Sequence, residues 1–210
     1  MDEKIDVLDE RGEKTGRVVW KSEAHRVGLW HRCFHLWIVD PGDDMDGPFL
    51  FVQRRASVKE TWPDKLDVTA AGHLMAGESG LDGLREVEEE LGLSVGSGDV
   101  VALGTRRNEL EIPAGMDREF QDVFLLVRRL EPSDLRLQRE EVASVARLRL
   151  GDVEGLCGGE PVPVQEWADG EVRESRARIE DFVSGEDGYL MRIVRASRKA
   201  LAGEGAGETF

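Results

Sequence analysis

The sequence predicts one domain of the α/β or α+β sandwich class, and three observations support this prediction. A chain of 210 residues fits a single domain of ordinary size better than it fits two. Hydrophobic residues make up 40% of the chain, which is enough for one core. Short apolar runs between turn-forming residues indicate several strands, and helical spacing of apolar residues indicates about three helices.

The predicted strands are short runs of β-branched, aromatic and aliphatic residues. The first two flank a turn that contains Gly12, a residue that can adopt a positive φ, and the next two flank a turn at 41–44. In chain order the predicted strands lie within 5–19 (two strands), 34–39, 49–52, 67–74, 100–103, 109–112, 119–127 and 144–150.

The clearest predicted helix spans 81–91. Its apolar residues follow a spacing of 3, 3 and 4, which places them on one face: Leu81, Leu84, Val87 and Leu91. Gly92 is suited to end this helix. Helical spacing returns at 178–182 and 189–201, so the domain is predicted to close with a helical part at about 178–203.

The sequence therefore predicts a single domain over residues 1–203, followed by a flexible tail. That tail, 204–210, is rich in glycine and is expected to fray.

The balance of charge and the cysteine content exclude several classes of function. The chain carries 28 Lys and Arg against 43 Asp and Glu, and the resulting formal charge of −15 disfavours non-specific binding to nucleic acid. No apolar run approaches the ~20 residues of a membrane span, and the amino terminus lacks the features of a signal peptide. Cys33 and Cys157 are far apart in the sequence, which indicates reduced thiols. A cytoplasmic location is expected.

The predicted helix at 81–91 carries an acidic face with potential chemistry. Glu86, Glu89 and Glu90 stand at positions i, i+3 and i+4, so their carboxylates converge on one side. Carboxylate oxygens favour hard divalent cations such as Mg²⁺ or Mn²⁺. The sequence predicts a metal site at these residues, and a solvated acidic face without function is the alternative.

The surroundings of this helix resemble the Nudix box, the signature motif of the Nudix hydrolase superfamily. The motif covers 72–93, and its fixed residue types appear in order: Gly72, Glu78, Arg85, Glu86, Val87, Glu89, Glu90, Gly92 and Leu93. The resemblance implies an α/β/α sandwich with a central mixed sheet, and structural roles for Gly72, Glu78, Arg85 and Gly92.

The box is one residue shorter than the family pattern. Six residues, 79–84, stand between Glu78 and Arg85 where the family has seven. Removing one residue from a helix rotates the remainder of that helix by about 100°, which would misalign Glu78 with Arg85. Because Gly80 and Gly83 weaken helix formation, a later helix start is the expected way to absorb the change.

A second resemblance involves the histidines of the chain. The segment 25–35, together with 53–63 and 117–120, is similar to the isopentenyl-diphosphate isomerase branch of Nudix proteins, and the likeness covers about residues 5–150. In that branch two histidines, a box histidine and two acidic residues hold a metal. The matching positions here are His25, His31, His73, Asp117 and Glu119. The resemblance therefore implies a second divalent metal at this histidine cluster.

The same resemblance implies that Arg55 and Lys59 bind the diphosphate of the substrate. The isomerases also need a cysteine immediately before the box glycine, and this chain has Ala71 there. Neither Cys33 nor Cys157 occupies that motif, and alanine cannot transfer a proton. The sequence therefore favours hydrolysis over isomerisation.

The predicted function is Mg²⁺-dependent hydrolysis of a diphosphate linkage in a small-molecule X-diphosphate, of the nucleoside-diphosphate type or related to it. Glu86 or Glu119 is the predicted base for the attacking water. The alternatives are an isopentenyl-diphosphate isomerase-like enzyme and a catalytically inactive Nudix-fold binding module. A homodimer is left open, since the fold is often dimeric. Four tryptophans are expected mainly in the core, with a pocket wall as the alternative: Trp20, Trp30, Trp37 and Trp62.

Overall fold

The computed structural model describes residues 2–43, 47–183, 188–205 and 209–210. Within these ranges the strands are β1 (Lys4–Leu8), β2 (Lys14–Trp20), β3 (Trp30–Asp40), β4 (Phe49–Arg55), β5 (Leu66–Asp67), β6 (Ala70–His73), β7 (Val100–Ile112), β8 (Gly115–Val127), β9 (Val142–Arg149), β10 (Val162–Ala168) and β11 (Glu171–Ala177). The α-helices are α1 (Lys21–Val27), α2 (Leu84–Leu91), α3 (Val153–Cys157) and α4 (Tyr189–Leu201). Short 3₁₀ turns span Gly80–Gly83, Pro132–Asp134 and Ile179–Asp181. None of the helices in the described ranges has the length and apolar character that crossing a bilayer requires.

Strand β3 lies at the centre of a mixed sheet. Along one edge it runs parallel to β8, from the pair Trp30 and Arg118 to the pair Val39 and Val127. Along the other edge it is antiparallel first to β6 and then to β4. The sheet continues from β4 through β9 and β10 to β11, and β7 pairs with the free edge of β8. The predicted central mixed sheet is confirmed.

Helices cover both faces of this sheet. Successive side chains of a strand point to opposite faces, so β3 feeds two cores. Trp37 and Val39 pack in one buried cluster with residues of α3 and α4. Phe34, Leu36 and Ile38 pack in the other, which includes Val87 and Leu91 of α2. These layers confirm the predicted α/β/α sandwich.

Helix α2 begins later than the predicted residue 81. The segment Gly80–Gly83 forms a 3₁₀ turn instead, since its two glycines disfavour the α-helix. The carboxylate of Asp82 accepts hydrogen bonds from the backbone N–H and the hydroxyl of Ser79, which fixes the start of the turn. Gly92 ends the helix in the left-handed conformation, at φ 69°, as predicted.

Several predicted boundaries were wrong. The predicted strand 67–74 is divided into β5 and β6, and the strands at 100–103 and 109–112 are parts of the single strand β7. The predicted helix at 178–182 is only the 3₁₀ turn Ile179–Asp181. The predicted turn at 41–44 lies partly outside the described residues. The prediction missed α1, α3, β10 and β11 altogether. Most of β11 is exposed, so it lacks the alternating apolar pattern that marks a strand.

Part of the predicted flexible tail is docked on the domain. The backbone N–H groups of Thr209 and Phe210 donate to the carbonyl of Leu103 at 2.8 and 3.2 Å. The Phe210 ring packs edge-on against Tyr189, with ring centroids 5.4 Å apart. Residues 206–208 of the tail lie outside the described residues.

Candidate active site

A cavity of about 740 Å³ gathers most of the residues that the sequence predicted to be functional. It is bordered by α1, β3, β6, α2 and β8, and its far end reaches α4. The predicted residues that line it are His25, Arg55, Lys59, Gly72, His73, Glu86, Glu89, Glu90, Asp117 and Glu119. His31 is fully buried beside them, and Glu78, Arg85 and Gly92 support the acidic helix from outside the cavity lining.

The three carboxylates of α2 occupy different depths. Glu90 is buried, and its Oε2 accepts hydrogen bonds from the backbone N–H of Ala71 and from Nε2 of Gln53, both at 3.3 Å. Glu86 is half-buried, and Glu89 is exposed at the mouth. The set therefore reaches from solvent into the sheet.

Gly72 provides space for Glu86. A β-carbon built on Gly72 would stand 2.2 Å from Cδ and 2.3 Å from Oε1 of Glu86, far closer than real contacts allow. The carboxylate therefore lies directly over the backbone of β6. Only glycine leaves that space open, which explains the glycine at the start of the box in physical terms.

The electrostatics of α2 favour a cation. Burial, reinforced by Glu89, raises the pKa of Glu86 to about 7 although Arg85 opposes the shift. Burial and the charge of Glu86 raise the pKa of Glu90 to about 8. Carboxyl groups crowded in this way are stabilised in their charged form by a divalent cation. The charge of this set favours a divalent cation, but among the described residues the ligand atoms that lie within 4.8 Å of one another belong to the histidine cluster and not to α2.

Arg85 and Glu78 are in contact despite the shortened box. Nε of Arg85 lies 3.1 Å from Oε1 of Glu78, Nη2 donates to the carbonyl of His73 at 3.0 Å, and Nη1 lies 2.6 Å from Oε1 of Glu86. The misalignment that the missing residue was expected to cause is absent.

The 3₁₀ turn Gly80–Gly83 explains how the alignment is kept. Such a turn advances about 120° and 2.0 Å per residue, against about 100° and 1.5 Å in an α-helix. Over the length of the turn the difference is about 80° and 2 Å. That is close to what one residue of α-helix contributes, so the turn makes up for the shorter box.

The histidine cluster brings together side chains from four elements. Nε2 of His25, on α1, lies 3.3 Å from Nε2 of His73 on β6 and 3.5 Å from Oδ1 of Asp117 on β8. Nε2 of His31, on β3, lies 3.4 Å from the same Asp117 oxygen, and Nε2 of His73 lies 3.9 Å from Oε1 of Glu119. Ligands placed about 2.1 Å from one ion in a tetrahedron stand roughly 3.4 Å apart. These separations therefore fit a metal site.

His31 shows this fit most clearly. Its Nδ1 lies 3.0 Å from the carbonyl of Leu29, which only accepts, so the hydrogen of a neutral ring is on Nδ1. Nε2 then presents a lone pair toward Oδ1 of Asp117, and neither buried atom has a hydrogen-bond partner. Two facing acceptors need a proton or a metal ion between them. Burial of His31 lowers its pKa, but the carboxylates of Asp117 and Glu119 raise that pKa by more, so the net shift is upward.

The other two histidines of the cluster favour the neutral form. Burial lowers the pKa of His25 and lowers that of His73 well below its ordinary value. Neutral imidazole is the form of histidine that binds metals.

Sequence reasoning missed Cys33, which lies in this cluster. Its Sγ is 2.9 Å from Oε1 of Glu119, and it lines the cavity although it is almost fully buried. The signal was its position two residues after His31 on a strand, which places both side chains on the same face.

The two predicted phosphate-binding cations lie at the cavity wall, and each contacts a carboxylate. Nη1 of Arg55 donates to Asp67 at 3.0 Å, and its Nη2 donates to the carbonyl of Thr61. Lys59 pairs with Glu141.

The far end of the cavity is aromatic. Nε1 of Trp37 donates to the hydroxyl of Tyr189 at 2.9 Å, and that hydroxyl lies 3.0 Å from Nδ1 of His35. The guanidinium of Arg106 lies over the Tyr189 ring, 4.3 Å from its centroid. Tyr189 was not predicted here, because it is more than 150 positions away from His35 in the chain.

The tryptophans do not share one environment. Trp30 packs against Phe120 in the core, and Trp37 is buried but also lines the cavity with Trp62. Trp20 is 48% exposed, so the predicted core position was wrong for this residue.

Comparison with known proteins agrees with this geometry. A family profile described as the NUDIX domain matches residues 30–170. The chain is 31% identical over 204 residues to an uncharacterised Nudix hydrolase of Clostridium acetobutylicum, covering 93% of this chain and 97% of that one. It is 34% identical over 200 residues to Nudix hydrolase 3 of Arabidopsis thaliana, covering 92% of this chain but 23% of the plant protein. It is also 30% identical over 178 residues to an isopentenyl-diphosphate Delta-isomerase of Kocuria rhizophila, covering 84% and 94% of the two chains.

Solved structures share the fold. A crystal structure of the Deinococcus radiodurans protein DR0079 superposes with a TM-score of 0.55 at 21% identity, covering 75% of this chain and 91% of that one. A Nudix hydrolase of M. smegmatis gives 0.50 at 14% identity and covers 94% of both chains. The profile match and the full-length relatives show that this chain belongs to the Nudix family and is a Nudix hydrolase.

Proposed function

We propose that this Nudix hydrolase cleaves the diphosphate linkage of a small-molecule X-diphosphate, of the nucleoside-diphosphate type or related to it, with Mg²⁺ or Mn²⁺. One observation carries the proposal: Glu86, Glu89 and Glu90 line the same cavity as the cationic side chains Arg55 and Lys59. A diphosphate in that cavity would lie between a carboxylate set that holds cations and two groups that bind phosphate oxygens.

The acidic helix holds the metal in this proposal. Glu86, Glu89 and Glu90 would hold a divalent cation, which would supply positive charge to the substrate phosphates and to the attacking water. Arg85 keeps Glu86 in place through its Nη1, and the open space over Gly72 lets that carboxylate reach the cavity.

Glu86 is the proposed general base, which accepts a proton from the attacking water. Both oxygens of the other candidate base, Glu119, already accept hydrogen bonds, one from Sγ of Cys33 and one from Nε2 of Gln121. Glu86 contacts Arg85 through Oε1, so its Oε2 is the oxygen that would accept the proton.

Arg55 and Lys59 bind the phosphates by exchanging partners. Arg55 forms an ion pair with Asp67, and Lys59 forms one with Glu141. A diphosphate offers a guanidinium two acceptors in one plane, and it is itself dianionic or more, so it competes with these single carboxylates. Both side chains are therefore kept ordered at the wall of an acidic protein that otherwise repels its substrate.

Phosphate release from a panel of nucleoside, sugar and isoprenoid diphosphates with Mg²⁺ tests the reaction. The same panel narrows the chemical identity of the group X. Glu89→Gln should lower turnover at least about tenfold by weakening the metal site. Glu88→Gln is the matched control, because Glu88 is exposed on the same helix and does not line the cavity. Equal turnover in wild type and Glu89→Gln would reject the metal role.

An isomerase is the second candidate function. The similarity to the Kocuria rhizophila isomerase supports it, and so does a thiol next to a glutamate in the cavity, at Cys33 and Glu119. Ala71 stands against it. In the same panel, an isomerase would rearrange isopentenyl diphosphate without releasing phosphate. An inactive binding module would release none and change none of the compounds, and the complete carboxylate set makes this third alternative the weakest.

We further propose that His25, His31, His73, Asp117 and Glu119 hold a second divalent cation. The buried, unpartnered atoms of His31 and Asp117 support it. Elemental analysis should show less bound metal in His31→Ala than in wild type, and equal contents would reject the site. The expected cytoplasmic location and homodimer stay predictions; the free state of both cysteines fits the former.

A further inference from the structure

We propose that Cys33 is a metal ligand in the histidine cluster. With a sulfur ligand, this site would prefer Zn²⁺ and related metals, whereas the carboxylates of α2 would prefer Mg²⁺ or Mn²⁺. The inference rests on the proposed second cation but is independent of the reaction catalysed. Of the residues proposed above for that cation, His31, His73 and Glu119 would share the ion with Cys33, in place of His25 and Asp117.

Strand pairing places these four residues next to one another. His31 and Cys33 are two positions apart on β3, so both point to the same face. His31 pairs with Glu119 on β8, and Cys33 pairs with His73 on β6. The thiol is therefore flanked by the other ligands on both neighbouring strands.

The donor atoms are close enough to share one ion. One ligand atom from each of the four residues lies within 4.8 Å of the other three. Sγ of Cys33 is 2.9 Å from Oε1 of Glu119. Nε2 of His31 is buried without a hydrogen-bond partner, which is an independent sign that a ligand belongs here.

The chemistry of this set differs from that of α2. Two imidazoles, a thiolate and a carboxylate form the kind of mixed nitrogen and sulfur set that binds Zn²⁺ and related metals, whereas oxygen-only sets suit Mg²⁺. Binding replaces the S–H bond of Cys33 with a sulfur–metal bond, and the released proton goes to the buffer. The protein would then hold two classes of metal in a single cavity.

Cobalt(II) substitution tests the sulfur ligand without an activity measurement. The Cys157→Ser variant of the full chain retains Cys33 as its one cysteine. After removal of bound metal with a chelator, Co²⁺ titration of this variant should produce the near-ultraviolet charge-transfer band of a sulfur–cobalt bond at one equivalent. Such a band can come only from Cys33, so the result does not depend on whether a Cys33 variant folds.

Two further measurements complete the test. Zn²⁺ should abolish the band at stoichiometric concentration, and Mg²⁺ should not. If its thermal unfolding matches that of wild type, Cys33→Ser should lack the band and bind Zn²⁺ at least about tenfold more weakly. Co²⁺ bound at one equivalent without the sulfur band would overturn the role of Cys33.

The outcomes also separate this proposal from the proposed hydrolysis. Absence of Co²⁺ binding would overturn both the sulfur ligand and the second cation, yet phosphate release with Mg²⁺ would still stand. Conversely, a sulfur–cobalt band in a protein that releases no phosphate from any diphosphate would support the site and reject the reaction.

Discussion

Arg85 and Glu78 contact each other through Nε and Oε1 at 3.1 Å, across a box that is one residue shorter than the family pattern. The guanidinium also reaches Glu86 and the backbone of His73, so it ties the loop before α2 to the helix and to the sheet. Both partners are largely buried, with side-chain exposures of 22% and 17%.

A double-mutant cycle on this pair should give a coupling energy of about 1–2 kcal/mol. The variants are Glu78→Gln, Arg85→Gln and their combination, measured by urea unfolding. The exposed pair Arg198 and Glu154 is the matched control and should couple by less than about 0.5 kcal/mol. Equal coupling in the two cycles would show that the box pair is an ordinary surface contact.

Gly72→Ala should destabilise the protein by about 1–3 kcal/mol and lower turnover, because the new methyl group would push the Glu86 carboxylate away from the cavity. Gly98→Ala is the control, since a β-carbon there meets nothing within 4 Å. Thermal unfolding and the phosphate-release assay measure both effects. A Gly72→Ala protein with wild-type turnover would contradict the role assigned to this contact.

Removal of metal should make stability depend on pH through Glu90. Its pKa is raised to about 8 in the folded protein, mainly by burial, from an ordinary value of 4.5. Between these values the folded state binds more protons than the unfolded state, so the free energy of unfolding falls as pH rises. Glu90→Gln removes this contribution. In chelator, the variant should lose less stability than wild type between pH 5 and pH 8.

Adding Mg²⁺ at pH 8 should restore the stability of the wild-type protein. The same addition should change the stability of Glu90→Gln little. Glu88→Gln should follow the wild-type pH profile, because Glu88 is exposed. Parallel profiles for wild type and Glu90→Gln would show that burial of this carboxyl carries no such cost.

His35 should destabilise the protein in mild acid. Burial lowers its pKa to about 4 in the folded protein, from 6.5, although Glu119 opposes the shift. The unfolded state therefore binds more protons between these values, so stability present above pH 6.5 is lost as pH falls toward 4. Between pH 7 and pH 5 the expected loss is about 2 kcal/mol.

Comparison with His35→Asn isolates this contribution, since asparagine keeps a polar atom facing the Tyr189 hydroxyl. Urea unfolding at the two pH values should show a smaller loss in the variant. An equal loss in both proteins would assign the acid sensitivity to other groups.

The sequence predicted those parts of the fold that have a repeating apolar pattern. Leu84, Val87 and Leu91 mark α2 because one face of that helix is buried and the other is wet. Helix α1 has one buried residue, Ala24, and so offers no stripe to detect. Strand β7 seemed to be two strands because its middle is polar, and Gly104 stands at an irregularity in its pairing with β8.

The candidate site was predictable as far as local spacing and family resemblance extend. The carboxylates of α2 follow from helical geometry, and Asp117 and Glu119 share a face as neighbours two apart on a strand. The positions of Cys33 and Tyr189 depend on contacts between distant segments. Strand register sets Cys33 opposite His73, and packing of α4 on the sheet brings Tyr189 to His35. The spacing of Cys33 from His31 predicts that the two share a face of the strand, but no short-range pattern predicts their partners on other elements.

The far wall of the cavity comes from a different stretch of polypeptide than the acidic helix. Tyr189 and Leu190 of α4, with Phe182 and Val183, line one end, while the box lines the other. Substitutions in the later stretch change the lining of the cavity without replacing any residue of the box. Under the proposed function, α4 and the segment before it are therefore the region to randomise when a change of substrate is sought with the box left intact.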